Sequence, residues 1–124
     1  MYTRWEFRDV LEQNAVGIIQ PDICHAGGMS ELRKIGAMAE TFSVTLAPHN
    51  SNGPISTVAS LHLDMSLPNC HAQELFLNST DAYDEVLTNP IPIDDGYASV
   101  PPGPGWGTDI DDEELKKYPP SELA

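Results

Sequence analysis

Three side chains able to move protons recur along this 124-residue chain at nearly even intervals. They are Asp22, His49 and Glu74, separated by 27 and 25 residues. Each stands at or within a short apolar run: after Ile18-Ile19, after Leu46-Ala47, and inside the segment Ala72 to Leu77. A carboxylate that accepts a hydrogen bond from one imidazole nitrogen fixes the tautomer and raises the basicity of the ring. The other nitrogen is then free to act as a general acid or base. Asp22 with His49 is the candidate pair, and Glu74 is a second carboxyl for the same site. His25, three residues beyond Asp22, and Asn50, next to His49, are candidate substrate contacts. Each has an ordinary alternative: His49 satisfying a loop carbonyl, Asp22 capping a turn, His25 lying in a loop beside the mouth. The common register of three polar residues, rather than any one of them, gives the chemical reading its weight.

The surrounding pattern says what must deliver these side chains. Arg4 to Gln13 reads as a helix with a loose apolar stripe of Trp5, Phe7, Val10 and Leu11, and Asn14 stops it. Val16 to Ile19, ended by Pro21, is short, apolar and β-branched, as a buried parallel strand is. Gly27-Gly28 marks a loop, and Ser30 is placed to cap a helix carrying Leu32, Ile35, Ala39 and Phe42. Val44 to Ala47 is a second strand, Ile55 to Met65 a third helix broken by Pro68-Asn69, and Ala72 to Leu77 a third strand. Alternating helices and strands imply parallel strands joined by crossover helices. A barrel of about 250 residues with eight repeats has a period of about 31 residues, so each observed interval is one strand–helix unit. Neighbouring strands lie about 4.8 Å apart, which lets Asp22 and His49 meet across two of them at the C-terminal strand ends. The expected class is α/β: about three units of a (β/α)8 barrel over residues 1–78. An extension over residues 79–124 should follow. Asn89 to Gly107 holds five of the eleven prolines and four of the nine glycines, which favours an irregular extended arm. A short terminal helix is expected over Asp112 to Tyr118.

Composition narrows the partners. Six basic residues face nineteen acidic ones, a formal net charge of −13. Binding to a phosphate backbone or to an anionic lipid surface needs clusters of Lys and Arg, so neither nucleic acid nor membrane is expected. No run of eighteen apolar residues exists to span a bilayer, and the first residues lack the apolar core of a signal peptide. Cys24 and Cys70 fit no disulfide framework, and reduced thiols in a cytoplasmic protein are the expectation. Neither the cysteines nor His25, His49, His62 and His71 show a zinc spacing. His62 reads as a helix-packing or surface residue and His71 as structural. Gly27-Gly28 lacks the further glycines of a nucleotide loop. Self-repulsion at this charge is relieved by salt, so a halophilic host is one reading and an acidic tail on an ordinary protein the other. Eleven of the nineteen acids lie from Asp81 onward.

Ile18-Ile19-Gln20-Pro21-Asp22 with His25-Ala26-Gly27-Gly28 resembles the sixth-strand motif of the mandelate racemase branch of the enolase superfamily. Leu46-Ala47-Pro48-His49-Asn50 with Gly53-Pro54-Ile55 resembles its seventh, and Gln73-Glu74 its eighth. The His-Ala-Gly-Gly and Pro-His-Asn forms are most similar to galactonate and related acid-sugar dehydratases. Pro102 to Gly107 and Asp112 to Leu115 look like that family's C-terminal end. The resemblance implies proton abstraction beside a carboxylate with Mg2+ as cofactor, then loss of the 3-hydroxyl to give a 2-keto-3-deoxy acid. It implies that Asp22 and His49 form the dyad, with His49 acting mainly as general acid. Glu74 would bond the developing enediolate oxygen, and the full-length enzyme would form homo-oligomers around a small sugar-acid substrate.

The resemblance also implies that the three acidic metal ligands, a second base and a capping domain belong before Tyr2-Thr3-Arg4-Trp5, so no metal ligand is expected among these residues. The chain alone is therefore expected to be inactive, with open strand edges. Two other readings stand beside a dehydratase fragment: a non-catalytic remnant or assembly module, and a racemase or epimerase on the same scaffold.

Overall fold

The computed structural model describes residues 1–75 and 80–119 and divides into two compact units, Met1–Phe76 and Leu77–Ala124. In the first unit, helix α1 (Arg4–Glu12) begins at a capping box: the Glu6 N–H donates to the Thr3 hydroxyl, and the Thr3 N–H donates back to the Glu6 carboxylate at 2.8 Å. Phe7 and Leu11 are its buried face. Gln13 caps its end and Asn14 turns the chain with φ 49°.

Strand β1 (Ile18–Ile19) is shorter than the run from Val16: Gly17 takes part only through its carbonyl, which accepts the Thr45 N–H at 3.1 Å. Helix α2 (Met29–Thr41) then crosses back. Its cap is Gly28, not Ser30: the Glu31 and Leu32 N–H groups both donate to the Gly28 carbonyl, and Ser30 sits inside the first turn. Gly27 and Gly28 have φ of 95° and 82°, a backbone that a Cβ opposes, so the helix starts where the glycines end. Arg4 pairs with Glu31 at 2.8 Å, tying α1 to the start of α2.

Strand β2 (Thr45–Leu46) runs parallel to β1 with Ile18 opposite Thr45 and Ile19 opposite Leu46. Its other edge also pairs: Leu46 N–H donates to Asn69 O at 2.9 Å and His71 N–H to Leu46 O at 2.6 Å, with Leu46 opposite Cys70 in parallel. The third strand expected over Ala72 to Leu77 is corrected by this arrangement. Pairing occurs at Cys70, residues 71–75 form no strand, and Phe76 and Leu77 lie outside the described residues. Pro48 explains the shift, because it lacks the N–H needed to return the next ladder bond, leaving only Glu74 N–H to Pro48 O at 3.5 Å.

Helix α3 (Pro54–Asp64) starts with proline in its first turn, where a missing N–H costs nothing, and ends at Met65. Phe7, Leu11, Ile19, Ile23, Leu32, Ile35, Ala39, Leu46 and Leu63 form one core between helices and strands. The parallel pair with a helical crossover is the α/β pattern the alternation implied.

The second unit holds helix α4 (Thr80–Glu85), strands β3 (Ile93–Asp94) and β4 (Tyr97–Ala98), and helix α5 (Asp112–Leu115). The arm expected to be irregular contains an antiparallel hairpin, Ile93 opposite Ala98. Its turn is Asp95-Gly96 with φ of 46° and 81°, the two-residue geometry that an Asp-Gly pair favours. Asp111, one residue before the expected start, caps α5 by accepting the Glu113 and Glu114 N–H groups, and the helix stops at Leu115 rather than Tyr118. Among the described residues, no helix is long and apolar enough to cross a membrane.

Candidate acid–base site

The end of β1 and the end of β2 are held in register three residues beyond the strands themselves, where Asp22 and His49 form a parallel bridge. The loop after β1 builds the acceptor. Asp22 is 6% exposed, and its Oδ1 accepts the backbone N–H of Cys24 at 2.7 Å and of His25 at 3.2 Å. That closes an Asx-type turn and fixes the carboxylate plane. Its Oδ2 points to the strand ends. Three nitrogens converge on this one oxygen: His49 Nδ1 at 2.7 Å, His25 Nδ1 at 3.0 Å and Asn52 Nδ2 at 3.0 Å. Burial pushes the Asp22 carboxyl up, but the hydrogen bonds from His49, Cys24, His25 and Asn52 together outweigh it and hold it below the usual carboxylate range.

This settles a proton position. An ionised carboxylate can only accept, so the His49 nitrogen facing Asp22 must carry the hydrogen. Neutral His49 is therefore the Nδ1–H tautomer, and its Nε2 is the nitrogen left for other work. Nε2 lies 3.9 Å from Glu74 Oε2, and the His49 side chain is 42% exposed.

Glu74 is held from the other side. Its Oε2 accepts the backbone N–H of Asn50 at 2.8 Å. Asn50 is 1% exposed, and its amide is spent inside the protein. Nδ2 donates to Thr57 Oγ1 at 2.8 Å and to the Glu74 carbonyl at 3.4 Å, while Oδ1 accepts from Ser56 Oγ at 2.8 Å. Asn50 was expected to touch substrate, but its side chain braces the loop after β2 against the first turn of α3. The signal missed in the sequence was Ser56 and Thr57, two adjacent small hydroxyls in the first turn of the helix.

His25 is half exposed, and its ring meets the Tyr2 ring edge-on with centroids 6.2 Å apart. Asn52 was also missed: it sits in a polar turn that reads as a mere connector, yet it supplies the third nitrogen on Asp22 Oδ2. Cys24 and Cys70 are free thiols.

A magnesium ion prefers a shell of oxygens, several of them carboxylate or water. Among the described residues, the group of three or more potential ligands is Asp22, His25 and His49, with one carboxylate and two imidazoles. That donor set does not suit magnesium.

Residues 1–115 match the family model described as enolase C-terminal domain-like. The chain is 40% identical over 117 residues to an arabinonate dehydratase of Saccharolobus solfataricus, covering 94% of this chain and 31% of that protein. It is 40% identical over 123 residues to a D-galactonate dehydratase of Xanthomonas euvesicatoria, covering 94% and 32%. Among solved structures, a mandelate racemase subgroup enolase from Agrobacterium tumefaciens superimposes with a TM-score of 0.85 at 39% identity, covering 93% of this chain and 32% of that one. A member of the enolase superfamily from Salmonella Typhimurium does so with a TM-score of 0.86 at 35% identity, covering 96% and 31%. The chain thus spans about a third of the length of the curated relatives it matches.

Proposed function

The chain belongs to the enolase C-terminal domain-like family, and from that premise we propose that it supplies the acid–base part of a sugar-acid dehydratase of the galactonate type. The observation that carries this is the hydrogen bond of 2.7 Å between His49 Nδ1 and Asp22 Oδ2 at adjacent strand ends. It fixes which nitrogen faces outward and stabilises the imidazolium when Nε2 is protonated. His49 is the general acid: Nε2–H passes its proton to the departing 3-hydroxyl of an enediolate, and the resulting enol tautomerises to a 2-keto-3-deoxy acid.

Asp22 is the positioning partner that keeps the charge on the ring. Glu74, anchored through Oε2 by the Asn50 N–H, offers its other oxygen to an oxygen of the substrate in this reading. Its hydrogen bond to the developing enediolate oxygen needs a donor, either a proton on the carboxyl or a bridging group. Asn50, Ser56 and Thr57 act through Glu74 by holding the loop, and His25 lines the mouth.

The ligand group found among the described residues does not suit magnesium, and the resemblance places the base for the α-proton outside them. Turnover therefore needs donors beyond them, from a longer chain or a second one. A small carboxylate sugar is the substrate class, no nucleic acid or membrane surface is a partner, and the working assembly is a homo-oligomer. The compartment proposed is the cytoplasm.

The test is a chimera in which residues 1–115 replace the matching third of the Xanthomonas euvesicatoria D-galactonate dehydratase. Formation of a 2-keto-3-deoxy acid from a panel of sugar acids, lost in His49→Asn, is the expected result. A folded chimera that exchanges the α-proton for solvent deuterium without releasing a keto acid would point instead to racemisation. A folded chimera with neither activity would refute the catalytic reading.

A further inference from the structure

We propose that Asp22, His25 and His49 form a three-ligand site for a divalent transition metal of the zinc class, distinct in donor chemistry from a magnesium site. The donors are one carboxylate and two imidazoles, a set that suits Zn2+, Co2+ or Ni2+ and is poor for Mg2+. Their ligand atoms all lie within 4.8 Å of one another. Both imidazole Nδ1 atoms already stand on the same oxygen, at 2.7 and 3.0 Å. Ligand atoms around a tetrahedral zinc, each about 2.0 to 2.2 Å from the ion, stand about 3.3 Å apart. The two carboxylate–imidazole distances lie within about 0.3 to 0.6 Å of that spacing.

The support is built in. Asp22 is fixed by the N–H groups of Cys24 and His25, so its Oδ2 cannot swing away. The Tyr2 ring backs His25. The two rings are 51% and 42% exposed, so water reaches the remaining coordination positions. Asn52, the third donor on Oδ2, gives way to the ion.

Coordination through Nδ1 has a consequence for the ring. A neutral imidazole bound at Nδ1 carries its hydrogen on Nε2. The metal therefore replaces the Nδ1–H···Oδ2 bond and reverses the His49 tautomer. Metal occupancy and the Asp22–His49 proton pair exclude each other. The metal site itself does not depend on the dehydratase reading, because its ligation is read without any substrate.

The experiment titrates the full chain with ZnCl2, CoCl2 and MgCl2. It uses calorimetry for stoichiometry, visible absorption for Co2+ coordination, and histidine nitrogen resonances for the tautomer. One Zn2+ or Co2+ per chain is expected, with Mg2+ weaker by at least about a hundredfold. His25→Ala and Asp22→Asn should each weaken Zn2+ by at least about tenfold. His25→Ala removes a half-exposed side chain, so it tests ligation in a folded protein even where Asp22→Asn disturbs the loop; circular dichroism checks the fold. Cys24→Ser should leave binding intact. No Zn2+ binding at millimolar metal, binding unchanged in His25→Ala, or binding lost in Cys24→Ser would each overturn the proposal.

Discussion

Two carboxylates in the first unit are removed from solvent, and the protein treats them in opposite ways. Asp22, at the end of β1, receives two backbone N–H groups and three side-chain nitrogens and stays ionised below the usual range. Asp64, at the end of α3, has both oxygens buried with no hydrogen-bond partner of good geometry. Burial raises its pKa to about 7, and the neighbouring Cys70 thiol offsets only a little of that. Burial and the Asp64 charge push Cys70 in turn up to about 12. The same chemical group thus holds its charge below the usual range at one place and titrates at about 7 at the other. Burial sets the difficulty of holding the charge, and the number of donors decides whether it is held.

The most drastic way to break this contrast is to change what Asp22 offers His49. In the chimera, Asp22→Asn keeps an oxygen for the Cys24 N–H but faces His49 with an amide. We expect kcat to fall by about 10² to 10⁴, the range typical of lost acid–base function, measured by keto-acid release. Asp64 tests the other side. A carboxyl whose folded pKa is raised from 3.8 to about 7 takes up protons on folding, so stability falls as pH rises from about 4 to 7 and is flat above. Asp64→Asn should then be more stable than the parent by about 1 to 3 kcal/mol at pH 8 and nearly equal to it at pH 4, as read by urea unfolding.

Asp22 carries the opposite sign. Its folded pKa is lowered, so its contribution is full above the unfolded value and is lost as pH falls through the folded one. Asn52→Ala removes one of its donors and should cost about 1 kcal/mol at neutral pH, with the acid unfolding midpoint moving up. Asp111 sharpens the comparison from the second unit. It accepts two N–H groups as Asp22 Oδ1 does, but at a partly exposed site at the start of a four-residue helix. Asp111→Ala should cost about 0.5 to 1 kcal/mol, read as faster amide exchange over residues 113–115.

The legible part of this molecule was the part written in short-range pattern. The apolar spacing of Leu32, Ile35 and Ala39 gave α2, and the β-branched run before Pro21 gave β1. The meeting of Asp22 with His49 followed from one strand–helix interval. Motif resemblance, not periodicity, is the source of the roles proposed for His49 and Glu74. What escaped depended on partners chosen in three dimensions. Ser30 looked like a cap, but the left-handed glycines before it started the helix earlier. The apolar segment from Ala72 read as a strand, although Pro48 across the ladder ended the pairing near Cys70. Asn50 and Asn52 are equally polar in the sequence, yet one is buried against α3 and the other faces Asp22. A hydrophobic pattern carries no information about which of two amides a neighbouring hydroxyl will claim.

The double duty of Asp22 constrains how position 22 can change over generations. One oxygen shapes the chain and the other serves the imidazole, so most substitutions at this position disturb both at once. Glutamate reaches too far to keep the turn, alanine forfeits both tasks, and asparagine preserves the bend at the expense of the proton partner. A lineage without the proposed proton transfer could keep the loop by the asparagine route alone. On the proposed reading, the residue at 22 separates relatives with the proton pair from those with only its shape.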